Sequence, residues 1–286
     1  VAVFDDTAAG KTVYVWDYVS VDKAIFNATQ NYNVSNWGGL ATVGSLVHNG
    51  TGTTTIDSSM KVTGSTAINN GTLVVTSNGT LGGSVTGDGT LVIDWGNGNS
   101  AAPAISGLNT LHIKSGTWGN EGAQAAGASN IIVESGNTKY DSRENCNAII
   151  ETGSNELIWG CSKTVIPESV EGIGYQAFYG CVGLTDLVIP ESVSKLDYDA
   201  FRECVGLKTV HIPESLTEIP SGAFSDCTGL TSIVLPDRLT IVGGFSGCVK
   251  LTEVSIPESV KVVDDRAFKD CTGLTKVVVP ANVTKI

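Results

Sequence analysis

Seven cysteines, a series of acidic residues and three histidines are the side chains of this 286-residue sequence that could do chemistry. Zinc and iron–sulfur sites need cysteines grouped two to four residues apart. The cysteines here stand at 146, 161, 181, 204, 227, 248 and 271, and no two are that close. The last five recur instead at steps of 23, 23, 21 and 23 residues. Glu168, Glu191, Glu214, Asp237 and Glu258 recur in the same phase. Stacked on successive turns of chain, such carboxylates would repel by about 0.2–1 kcal/mol per pair. A ladder of divalent cations would relieve the repulsion, and splaying into solvent would avoid it. His48, His112 and His211 lie far apart and beside no serine or cysteine of catalytic spacing. Phosphate-loop, H-E-x-x-H and paired-carboxylate patterns are missing, and the glycines of 79–89 punctuate turns without opening a βαβ unit. These residues predict neither an enzyme nor a cofactor.

Composition narrows the classes further. The formal charge is −12 and the pI is near 4.6, which excludes a nucleic-acid partner because nothing would neutralise phosphates. Apolar runs fall far short of the roughly 20 residues of a membrane helix, so no transmembrane segment is expected. No basic and apolar leader pattern opens the sequence. The start at Val1 suggests a mature chain or a fragment. Residues 1–138 carry 9 acidic and 4 basic side chains and are rich in Gly, Thr, Ser, Asn and Val; all the cysteines and seven of the eight prolines follow. Two kinds of sequence therefore meet near 137–143.

The elements that would position these residues are repeats. Prolines at 167, 190, 213, 236, 257 and 280 are spaced 23, 23, 23, 21 and 23, so both series shorten at the same place, within Ile241–Gly244. In one unit Leu187 and Ile189 alternate with outward residues as a short strand does. Pro190 ends it, having no N–H to donate. Val193 and Leu196 point inward again, Ala200, Phe201 and Cys204 share a face at helical spacing, and Gly206 turns the chain back. A unit this short cannot bury its apolar face alone, so neighbours must stack into a solenoid.

The pattern L-x-x-V-x-I-P-x-S-V-x-x-I-x-x-x-A-F-x-x-C resembles the BspA-like (Treponema-type) leucine-rich repeat of bacterial surface proteins, over about 139–286. Tyr140–Thr152 and Leu157–Cys161 are similar to the irregular leading unit of such arrays. Two departures stand out: Gly244-Phe245 replaces Ala-Phe in the short unit, and Ile286 precedes the next Ala-Phe-Cys segment, which leads us to expect further protein beyond it. The family keeps a small buried side chain at the cysteine position. Parallel stacking would point all five sulfurs the same way, so buried thiols are expected, with Cys146 and Cys161 best placed to depart from this and bridge. The resemblance implies an extracellular, cell-surface protein that binds proteins or host matrix in adhesion.

In the first half, Thr54–Ile56, Thr72–Val75, Thr90–Ile93, Thr110–Ile113 and Asn130–Val133 recur at steps of 18, 18, 20 and 20, with turn residues between them, as at Ser77–Gly79. This resembles the right-handed β-helix of bacterial passenger domains and adhesins, although a β-sandwich has similar composition. The expected organisation is an N-terminal cap over 1–35, with a strand at Val13–Trp16 and a helical turn or two in Asp22–Thr29, then a β-solenoid over 36–138 and leucine-rich repeats over 139–286. The fold class is a mainly β solenoid whose repeat array carries short helical turns. Glycosylation triplets at Asn27, Asn33, Asn49, Asn70, Asn78 and Asn282 arise freely in Asn/Thr-rich sequence and carry no weight. Outward residues of the repeat strands form two columns, Asp186, Thr209, Ser232, Glu253, Lys276 and Val188, His211, Val234, Ser255, Val278. Free of folding duty, they are the candidate ligand surface; plain solvent exposure is the bland alternative. A structural fibre or sheath assembling end to end is the second reading.

Overall fold

The computed structural model describes residues 1–7, 12–15, 18–36, 41–57, 60–76, 79–100, 103–118 and 127–286. Two compact units emerge, Val1–Asp141 and Ser142–Ile286. Each is a β-solenoid.

In the first unit the strands pair in parallel throughout, which decides for coiling against a sandwich. Strands Tyr32–Asn36, Thr53–Asp57, Thr72–Thr76, Ser84–Ser100, Ala104–Trp118 and Gly127–Val133 stack so that Val34, Ile56, Val75, Ile93, Ile113 and Val133 stand in register. Leu73, Leu91, Leu111 and Ile131 form a second buried column beside them. Register corrects one expected step: Thr53, not Thr54, pairs with Thr72, so that coil is one residue longer than the sequence pattern suggests.

The helical turn expected within Asp22–Thr29 is not there. Val19–Phe26 is a strand, with Ala24 and Phe26 buried and Lys23 and Ile25 less so. Its neighbours decide the matter, because Ala2–Phe4 and Ala41–His48 pair with it on both sides and supply the backbone bonds a helix would have made internally. The strand near Val13 spans Thr12–Val15; Trp16, Ser77 and Asn78 lie outside the described residues.

The second unit opens with an antiparallel hairpin, Ala148–Glu151 against Glu156–Gly160. Parallel coils follow. Each repeat proline starts a turn: the N–H of Val170, Val193, Leu216, Leu239, Val260 and Val283 donates to the proline carbonyl three residues back. The positions expected to point inward are buried, among them Leu187, Ile189, Val193, Leu196, Ala200, Phe201 and Cys204.

The Ala-Phe-x-x-Cys segments are chains of turns and not helices; among the described residues helix is confined to one 3-10 turn at Arg143–Asn145. The reason is a pair of left-handed residues in each regular coil. Gln176, Asp199, Gly222 and Arg266 precede Ala-Phe with φ between 55° and 80°, and Gly180, Glu203, Asp226, Gly247 and Asp270 precede or adjoin the cysteine with φ between 58° and 74°. Left-handed residues interrupt a right-handed helix. They also turn alternate N–H groups toward the next coil: Phe178 N–H donates to the Ala200 carbonyl (2.7 Å) and Gly180 N–H to that of Arg202 (2.8 Å).

Candidate functional site

The two outward columns sit where strand alternation puts them, and all ten residues are exposed. Asp186–Val188 pairs with Thr209–His211, and Glu253–Ser255 with Lys276–Val278. Between these two-stranded ladders lies the coil carrying Ser232 and Val234, and here the ladder opens. Thr231 N–H reaches the Lys208 carbonyl at 3.3 Å, but no backbone hydrogen bond joins Ser232–Leu235 to either neighbour.

A groove of about 330 Å³ follows the break, lined by Asp186, Val188, Thr209, His211, Glu214 and Val234 among others. The structure thus brings five of the expected positions toward one depression, Asp186, Val188, Thr209, His211 and Val234, and leaves Ser232, Glu253, Ser255, Lys276 and Val278 outside its lining. Val188 is 68% exposed and Val234 82%, large values for aliphatic side chains. Thr209 Oγ1 donates to Asp186 Oδ1 at 2.7 Å, and this bond holds the Asp186 carboxyl below its ordinary range. His211 Nε2 lies 3.6 Å from Glu191 Oε1. Glu191 and Glu214 add negative charge at the rim. Glu168, Asp237 and Glu258 are exposed as well, and among the described residues no three of His, Cys, Asp and Glu are grouped to hold a metal ion.

The cysteines have structural work instead. Cys204, Cys227, Cys248 and Cys271 each donate a thiol hydrogen bond to the carbonyl of the phenylalanine one coil back: Phe178 (3.1 Å), Phe201 (3.1 Å), Phe224 (3.3 Å) and Phe245 (3.0 Å). Burial pushes the Cys181 and Cys227 thiols up to about 12 and the other three above their ordinary value. The bridge considered for Cys146 and Cys161 does not form: both are buried thiols. Cys161 Sγ donates to the Asn147 carbonyl (3.5 Å), and Cys146 Sγ lies 3.9 Å from Ser142 Oγ. Those local partners hold the two sulfurs in separate bonds.

Sequence reasoning missed His48. It is buried, stacks on Phe26 (ring centroids 6.4 Å apart), and bonds the Asn70 carbonyl through Nδ1 (2.9 Å); desolvation lowers its pKa. The signal was the spacing of Phe4, Phe26 and His48, which occupy one ring position on successive coils. It missed the ladder break too, whose only mark is the 21-residue step that follows. Of the glycosylation triplets, Asn27 and Asn49 belong to an amide ladder with Asn69, bonded at 2.9 and 2.8 Å.

The family described as BspA type leucine-rich repeat region matches in six copies, over residues 158–275 and 242–286. The repeat array belongs to that family. A leucine-rich cell surface protein of Faecalibacterium prausnitzii is similar in fold: TM-score 0.54 and 20% identity, covering 93% of this chain and 82% of that one. The pneumococcal vaccine antigen PcpA matches over 96% of this chain and 82% of its own, with TM-score 0.56 and 13% identity. A Treponema pallidum leucine-rich repeat protein is 30% identical over 51% of this chain and 77% of its own, with TM-score 0.39. No curated protein matches.

Proposed function

We propose that the chain is an extracellular, cell-surface repeat protein that holds a protein or matrix ligand against the outward strand face of its BspA-type array. The observation that carries this reading is the open ladder at Ser232–Leu235, flanked by exposed Val188 and Val234. The break leaves a groove in the strand face in which an extended segment can lie across the coils. The valines offer apolar contact, and Asp186, Glu191 and Glu214 favour a basic segment. No helix among the described residues is long and apolar enough to cross a membrane.

An array of purified matrix proteins, probed with the whole chain, tests this. We expect retained ligands to be lost about tenfold or more by Val234→Arg or Val188→Arg, a loss of about 1.4 kcal/mol or greater. Val182→Arg, at a position 64% exposed in the turn after Cys181 and off the strand face, should leave binding unchanged. Equal loss in all three variants would refute a groove-centred site. Light scattering over a hundredfold concentration range separates binding from fibre assembly. A constant mass near 29.6 kDa fits a binding module, and growth into large species would overturn it in favour of a fibre.

A further inference from the structure

The shortened coil leaves a second depression, on the turn face of the array. Ahead of the Ala-Phe step, successive regular coils carry Tyr175-Gln176, Tyr198-Asp199, Ser221-Gly222 and Asp265-Arg266, whereas the short coil has only Gly243-Gly244 before Phe245. Large side chains thus stand on both sides of two coils that have almost none. The result is a notch of about 360 Å³ between Tyr198 and Asp199 at one end and Arg266 at the other. That volume falls within the roughly 300–1,000 Å³ of small-ligand sites.

Its floor is held in place by backbone geometry. Gly244 has φ 81°, and a Cβ there would lie 2.4 Å from the Pro220 carbonyl oxygen; Gly222 has φ 80°, and a Cβ would lie 2.0 Å from Asp199 Oδ1. Gly222 therefore gives the Asp199 carboxylate its room. Hydroxyls of Ser221, Ser225 and Ser246 line the walls. Arg202 lies among three carboxylates, Asp199 (3.8 Å), Glu203 (3.8 Å) and Asp226 (3.6 Å).

The chemistry of the lining selects the ligand. The lining charges pair off, Asp199 and Asp226 with Arg202 and Arg266, while Glu203 beside Arg202 and Asp265 beside Arg266 add negative charge, so an anion is repelled and a small cation is the competing guest that displacement by lysine reads. An apolar guest would bury these groups without partners. A neutral polyol meets both donors and acceptors, because each hydroxyl gives and takes a hydrogen bond. Carboxylate and guanidinium forks engage paired groups, and the exposed Tyr198 ring offers a flat apolar face for a pyranose. We propose that this notch binds a neutral sugar residue of a glycan, independently of the strand-face groove.

Saturation-transfer NMR on the whole chain tests it with methyl glycosides of glucose, galactose, mannose and N-acetylglucosamine at about 10 mM, a level at which millimolar affinity is visible. We expect transfer to at least one glycoside, reduced about tenfold or more in Asp199→Asn and Arg266→Gly, both of which suit a left-handed backbone. Inserting Ser-Gly between Val242 and Gly243 restores the 23-residue coil and should abolish the signal. Absence of transfer to every glycoside would overturn the proposal. So would a signal unchanged in the three variants, or one that free glycine or lysine displaces more readily than any glycoside.

Discussion

At the scale of single residues, the reactive groups are spent on structure. Each of four thiols satisfies a carbonyl one coil away, and desolvation keeps it protonated. The thiolate is the nucleophile, so these cysteines should resist iodoacetamide at pH 8 and react only on unfolding, which mass spectrometry of alkylated protein would show. Burial pushes the folded Cys181 and Cys227 thiols up to about 12 and raises those of Cys204, Cys248 and Cys271, whereas an unfolded thiol titrates near 8.5. Their stabilisation is therefore complete below about pH 8.5 and lost as pH rises toward 12. The melting temperature should fall across that window, and less steeply in Cys227→Ala. His48 behaves in the opposite sense. Its folded pKa is lowered, so stability present above about 6.5 is lost as pH falls. His48→Phe keeps the stack on Phe26 and should remove that acid dependence, at a cost of about 1 kcal/mol for the bond to Asn70. A melting series from pH 7 to 4 distinguishes the two proteins.

At the scale of elements, the array rests on its phenylalanines. Phe178, Phe201, Phe224, Phe245 and Phe268 stack at 4.9, 5.2, 5.5 and 5.7 Å, nearly parallel beyond the first pair. Truncating the central one, Phe224→Ala, should cost about 3–5 kcal/mol by chemical denaturation. Gln176→Gly should do the reverse: the side chain pays about 1 kcal/mol for its left-handed φ of 55°, and glycine does not. This scale also shows what was legible. Ala200, Phe201 and Cys204 could be read as inward because two residue types kept the same phase. Helix was read into that segment because its apolar spacing is helical, while Glu203 and Arg266 carry no sign of the left-handed backbone they adopt. Asp22–Thr29 went astray for a related reason, since its strand is stabilised by partners distant in sequence. The open ladder at Ser232–Leu235 is a failure of pairing with neighbours, and the residues there are ordinary strand formers.

At the scale of the molecule, composition separated two solenoid sequences, and the structure has compact units at Val1–Asp141 and Ser142–Ile286. Sparse charge and a net −12 predict that a basic ligand associates faster at low salt. Stopped-flow rates that do not change with ionic strength would argue against the acidic groove as its entry point. Coils this alike raise a different problem. A strand that docks one coil too early still finds a phenylalanine, a thiol and a proline where it needs them, so whole-coil slippage is the misfold to fear in a chain of self-similar parts. The 21-residue coil is the exception to that sameness. Its length tells it apart from the 23-residue coils on either side, so it is the phase marker against which the rest of the winding can be counted.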